Sequence, residues 1–350
     1  MNCLLLSYIL IVIITLINRR HLWHVAILFL SLLFSMRTEL VPDTISYQYY
    51  YTSPLLASSL MRIEKGYLYT CYFFHDILKL SFSQFLFVST FLLLEIWTLF
   101  TKQLIGRKGI MPMMMLLFSF YGYFYFGIVL RNAWALIFVY IGFYYLLTVQ
   151  NVPKRLLAFY LSLSIAFLFH RSVIFFIFVP LLDRDYEDYV YWIWFPLILL
   201  MFGVNSFAFG WLTSLLAGFE GFGKILSYAE SLRKQSSVSL IFLETYMLAV
   251  LLFLFKRNIF KNGRKYYTFY LNVLLLGLTV YSVSSKLVGV SRLAQSFFFF
   301  TFVPVYMVIY QNRGLRTKEA KVALMLIFSF VNFALLYYCH NYLFDGYVLK

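Results

Sequence analysis

Long apolar runs recur along the whole chain, separated by short stretches rich in Lys and Arg. Runs near 3–17, 22–36, 82–101, 110–128, 132–149, 156–170, 171–182, 189–209, 238–255, 266–284, 293–310 and 321–338 each read as helix. Many of them approach the roughly 20 apolar residues that cross a bilayer. Unpaired backbone amides are costly in lipid, so spanning segments of this kind must be helical. The expected fold is all-α: a polytopic membrane helical bundle of about 12 spans, with residues 1–350 forming a single integral membrane domain. The stretch 156–182 is the least regular. It reads as one long helix, two short ones, or a helix broken at His170 and Arg171.

Two longer segments interrupt the pattern, 37–81 and 210–237. Within the first, Gly66–Leu80 is amphipathic and Tyr-rich and carries His75, Asp76 and Lys79, which predicts a helix lying in the membrane interface. No internal repeat and no low-complexity linker divides the chain. Met1–Ile17 lacks a basic leader and a small-residue cleavage site, so it reads as a permanent span.

Composition agrees with the pattern. Of 350 residues, 63% are hydrophobic and 12% charged, against about 25% charged in a soluble domain. The net charge of +15 would suggest nucleic acid on a soluble protein. Here the charge sits in short loops, where it sets topology instead. With the N-terminus outside, the inner loops hold 17 of the 29 Lys and Arg. The acidic stretch Asp183–Asp188 falls on the same inner side and is the weak member of this assignment. Cys3, Cys71 and Cys339 show no redox or zinc spacing. No carboxylate–His cluster suggests a metal, so no cofactor is expected. Gly218–Lys224 resembles a phosphate loop only faintly, lacking the Ser or Thr after Lys.

The candidate chemistry lies at the outer helix ends. Arg37, Asp43, Glu64, Arg131, His170, Arg171 and Arg292 each sit at or near such an end. Ionisable groups at membrane depth are expensive and mark function by default, although a lone Arg also serves by snorkelling. Arginines at 37, 62, 131, 171, 233 and 292 gather on the face that the positive-inside rule depletes. Arginine forks match phosphate and diphosphate. After Arg37 the chain turns at Pro42–Asp43 and presents Tyr47, Tyr49, Tyr50 and Tyr51. Tyrosines suit sugar stacking, and equally an aromatic belt. Glu95 and Glu244 lie inside predicted spans, while His21 and His24 flank an inner loop.

Five segments carry a resemblance to a known family: Met36–Tyr47, Glu64-Lys-Gly-Tyr67, Val129–Ala135, Phe167–Val173 and Ser291–Phe297. In that order and spacing they resemble the EpsG/Wzy-like family of bacterial polysaccharide polymerases. Asn132 stands where the family usually has Gln, and Val41-Pro42 where it often has a Gly before Asp. The resemblance implies a GT-C-like helical scaffold in the bacterial cytoplasmic membrane, with an active site facing the exterior. It also implies a metal-independent glycosyltransferase that polymerises oligosaccharide repeats carried on undecaprenyl diphosphate. Expected partners are that lipid-linked oligosaccharide, the bilayer, a chain-length regulator and other polysaccharide-assembly proteins, and no nucleic acid. The product would be O-antigen, capsule or exopolysaccharide.

On this reading Arg131 and Arg292, assisted by Arg37 and Arg171, hold the leaving diphosphate. His170 is the expected general base, because imidazole titrates near working pH, with Asp43 its rival. Glu64 orients the acceptor sugar, and Tyr47 and Tyr67 bind beside it. A flippase for the same lipid would place Arg within central spans, whereas here the charges sit at helix ends. A membrane acyltransferase would draw on Arg19, Arg20, His21 and His24, and an O-antigen ligase would share the polymerase chemistry.

Overall fold

A computed structural model describes residues 3–17, 22–54, 64–216, 236–284 and 294–339. Arg19, Arg20, His21, Arg62, Arg233, Arg292, the 218–224 loop and most of the 210–237 segment lie outside the described residues. The chain forms two compact units, Met1–Pro180 with Thr317–Lys350, and Leu181–Arg316.

The first unit contains α1 (Cys3–Ile17), α2 (Leu22–Ser35), α3 (Thr44–Thr52) and α4 (Lys65–Tyr72), which continues into a π-helical turn at Phe73–Ile77. There follow α5 (Phe82–Ile105), α6 (Ile110–Ser119), α7 (Gly122–Gly127), α8 (Leu130–Thr148) and α9 (Val152–Phe169). A 3-10 helix runs over Arg171–Leu182. The second unit holds α10 (Asp188–Leu216), α11 (Ser236–Phe255), α12 (Lys261–Ser284) and α13 (Ala294–Gln311). Helix α14 (Lys318–Cys339) belongs to the first unit. Helices fall on most of the predicted apolar runs, and the only β pairing among the described residues is a single bridge between Ile259 and Asn312.

Six of these helices are long and apolar enough to cross a membrane: α5, α8, α9, α12, α13 and α14. Shorter apolar helices occur at 4–17, 22–35, 171–182 and 188–204. The run at 110–128 is not one helix. It breaks at Phe120–Tyr121, where a Cβ on Gly122 would meet the Leu117 carbonyl oxygen at 2.9 Å. Local chemistry fixes other ends. Ser81 and Gln84 form a capping box at the start of α5, Gly106 ends it at a φ of 78°, and Asn151 caps α9 ahead of Pro153.

In the first unit α8 and α9 pair as a hairpin, with Trp134 stacked on Phe169 and Phe143 on Phe159. Tyr8 of α1 stacks on Phe333 of α14 at 4.1 Å, and Ser7 hydrogen-bonds Tyr123 of α7 at 2.7 Å. Glu95 pairs with His24 at 2.7 Å, a partner the sequence pattern does not reveal.

In the second unit the acidic stretch finds its partners. Lys256 is buried between Asp185 at 2.9 Å and Asp188 at 3.2 Å, over the Tyr191 ring. Arg257 pairs with Asp188, and Arg264 with Asp185. The acids at the start of α10 and the basic turn between α11 and α12 therefore share one end of the unit. That is the arrangement expected if both belong to one side of the membrane.

Candidate functional site

The site is built where α2 ends and α8 begins, from chain segments far apart in sequence. Arg37 follows the last turn of α2 and precedes a tight turn closed by Val41 N–H to the Thr38 carbonyl, 3.1 Å. Asp43 then takes the left-handed conformation, φ 63°, which Asp tolerates better than most residues. It sits at the N-terminus of α3 with its carboxylate exposed and making no capping bond. Helical spacing turns Tyr47, Tyr50 and Tyr51 toward one side of α3, and Tyr47 and Tyr51 are buried.

Arg37 is 8% exposed. Its Nη1 donates to the Gly127 carbonyl at 3.1 Å, and the guanidinium lies 5.2 Å over Tyr47 and 5.7 Å over Phe82. Its Nε and Nη2 are buried without a hydrogen-bond acceptor, and no carboxylate pairs with it among the described residues. A cation held this way lacks a counter-anion, and a planar fork of free donors suits an oxyanion.

Arg131, in the first turn of α8, donates from Nη1 to Glu64 Oε2 at 2.8 Å. It also lies 5.8 Å over the rings of both Tyr47 and Tyr50. Burial raises the pKa of the Tyr47 phenol, so it stays protonated as a donor. Tyr67, fully buried, meets the Tyr47 ring edge-on at 5.6 Å, and burial pushes its phenol well up too. The α4 helix approaches α9 closely here: a Cβ on Gly66 would stand 2.6 Å from the Leu168 carbonyl oxygen.

Of the three forms left open for 156–182, the broken helix is the one observed. Helix α9 ends at Phe169, His170 is extended, and 3-10 winding begins at Arg171. The break frees the Arg171 amide, which donates to Glu64 Oε1 at 3.2 Å. One carboxylate thus joins the start of α4, the start of α8 and the break after α9. His170 Nδ1 accepts from the Ser172 amide at 3.1 Å, so in the neutral ring Nε2 carries the hydrogen. Burial holds the imidazole down to about 4, opposed by Glu64 and reinforced by Arg131. In this arrangement His170 is a donor, and its Nδ1 lone pair is already taken.

The structure thus gathers Arg37, Tyr47, Glu64, Tyr67, Arg131, His170 and Arg171 into one cluster, with Asp43 one turn before Tyr47. Arg292 lies outside the described residues. Sequence reasoning missed Phe82 as the floor under Arg37 and the Gly127 carbonyl as its acceptor. It singled out Tyr47 but not Tyr50, whose i, i+3 spacing from Tyr47 was the signal that places both beside Arg131. Among the described residues no three His, Cys, Asp or Glu side chains group as metal ligands.

A many-helix membrane protein with arginines, a carboxylate and tyrosines joined at helix ends defines the class: polytopic, with one charged site built on an apolar scaffold. The EpsG family model matches residues 20–347, and the chain belongs to the EpsG family, a polysaccharide polymerase-like group of membrane proteins. No curated protein and no solved structure matches the chain.

Proposed function

We propose that this protein is a glycosyltransferase that polymerises polyprenyl-diphosphate-linked oligosaccharide repeats on the outer face of the bacterial cytoplasmic membrane. Its spans number about twelve, in a single membrane domain of GT-C-like type. The observation that carries this reading is the buried, uncompensated Arg37 guanidinium beside Arg131, over a floor of Tyr47 and Phe82.

The growing chain leaves its lipid diphosphate and joins a hydroxyl of the next lipid-linked repeat. Charge develops on the leaving diphosphate, and fixed donors in a dry site stabilise it strongly. Arg37 supplies the uncompensated charge. Arg131 is held by Glu64, lies over the Tyr47 ring and keeps its Nε free. Arg171 lies beside them on the break, and His170 offers its Nε2 hydrogen to a phosphate or sugar oxygen. Glu64 fixes the cluster, and the partly accessible Tyr50 beside Arg131 offers a ring to sugar.

Gene deletion tests the reading. Loss of a polymerase leaves a single repeat on the acceptor, seen by gel analysis of surface polysaccharide, whereas loss of a flippase or ligase leaves none. A normal ladder in the deletion strain refutes it.

A further inference from the structure

Transfer of the chain also requires a proton acceptor for the attacking hydroxyl. His170 is poorly suited, because its Nδ1 lone pair is occupied by the Ser172 amide and its other nitrogen carries the hydrogen. Asp43 is exposed and held by no side-chain bond at its helix end. A third group lies nearby, outside the segments that carry the family resemblance.

The π-helical turn Phe73–Ile77 contains His75 and Asp76. A π turn is wider than an α turn, so consecutive side chains diverge by less than the roughly 100° of an α-helix. Here the neighbours meet: His75 Nδ1 lies 3.1 Å from Asp76 Oδ1. A carboxylate accepts only, so in the neutral ring Nδ1 carries the hydrogen and Nε2 presents its lone pair. That is the tautomer a general base needs, and the opposite of the one at His170. Both side chains are 35% exposed, which leaves them within reach of a substrate hydroxyl.

The dyad is firmly seated. Tyr51 meets the His75 ring edge-on at 5.2 Å, stacks on Phe85 at 4.6 Å, and donates to the Leu80 carbonyl at 2.7 Å. Between the dyad and Leu80, Lys79 holds a left-handed φ of 54°. Such a conformation costs a non-glycine residue about 1 kcal/mol or more and persists where the surroundings impose it. Tyr51 also contacts Phe82, the ring under Arg37, at 5.7 Å. His75 and Arg37 are therefore separated by two aromatic side chains. A diphosphate held by the guanidinium, the anomeric carbon bonded to it, an attacking hydroxyl roughly 3 Å from that carbon and a base one hydrogen bond further on form a chain of that order of length.

We propose that His75, oriented by Asp76, is the general base of chain transfer, a role resting on the polymerase reading above. The acceptor hydroxyl oxygen bonds to the anomeric carbon as the bond from that carbon to phosphate breaks. The lipid diphosphate departs with the bonding pair toward Arg37, and the hydroxyl proton passes to His75 Nε2 and then to solvent. Asp76 acts as a positioning residue.

The test uses the purified full-length protein and lipid-linked repeats extracted from membranes of the deletion strain. His75→Asn keeps a donor for Asp76 but lacks the Nε2 lone pair. His75→Gln places a non-basic amide near the Nε2 position at nearly native volume should the first variant fold poorly. Turnover is expected to fall at least about 100-fold, while the unfolding temperature and the binding of the lipid-linked repeat hold. Added imidazole is expected to restore part of the activity of His75→Gly. Turnover within about threefold of wild type in either folded variant overturns the assignment while leaving the polymerase reading intact. Wild-type protein that forms no polymer from these repeats overturns both.

Discussion

Glu64 and Arg131, separated by 67 positions in the chain, form an ion pair at 2.8 Å in which the carboxylate is 10% and the guanidinium 23% exposed. The second carboxylate oxygen takes the Arg171 amide, so a single side chain holds three elements in register.

Glu64→Ala is accordingly expected to destabilise the protein by about 2 kcal/mol, below the full cost of breaking a buried pair because Arg131 retains some solvent. Glu64→Gln keeps an acceptor for the Arg171 amide and should lose less. Thermal unfolding in detergent compares the two, and equal losses would place the effect in packing rather than in these bonds.

Arg37→Met separates activity from stability. The native guanidinium is buried with Nε and Nη2 unpartnered, so a linear apolar side chain should leave the unfolding temperature unchanged or raise it. Polymer formation should fall by about 100-fold or more, as when a preorganised charge donor is removed. A variant that polymerises normally would show that Arg37 is structural only.

Gly66→Ala places a Cβ 2.6 Å from the Leu168 carbonyl oxygen, a backbone atom with little room to yield. The α4–α9 contact must open, at about 1–3 kcal/mol. Because the same contact sets Glu64 against Arg171, polymer length should shrink together with thermal stability. A neutral outcome in both measurements would mean that the two helices slide without strain.

His170 carries a pH signature. Its folded-state value, near 4, lies below the ordinary 6.5, so the unfolded chain takes up the proton first. Its contribution to stability is complete above about 6.5, declines as pH falls toward about 4, and levels off below that. His170→Asn retains an acceptor for the Ser172 amide and abolishes the titration. Unfolding temperatures of wild type and variant measured from pH 7.5 down to 4 should diverge within that window, and parallel curves would contradict the burial of a neutral ring.

The sequence alone determined the helical membrane character, the approximate extent of the helices, and which ionisable residues stand at their ends. Those features are local: an apolar run of adequate length must close its own amides wherever it lies in lipid. The motif residues from Arg37 to Arg171 were legible for the same reason, as charges out of place beside apolar runs. Tertiary structure decided what each charge does. It gave Glu64 both Arg131 and the Arg171 amide, left Arg37 without a carboxylate, and turned the acids of 183–188 onto Lys256 and Arg264. It also set opposite tautomers at His170 and His75. These bonds require groups up to 107 positions apart to be brought within about 3 Å of one another, and no period or composition along the chain encodes such distances.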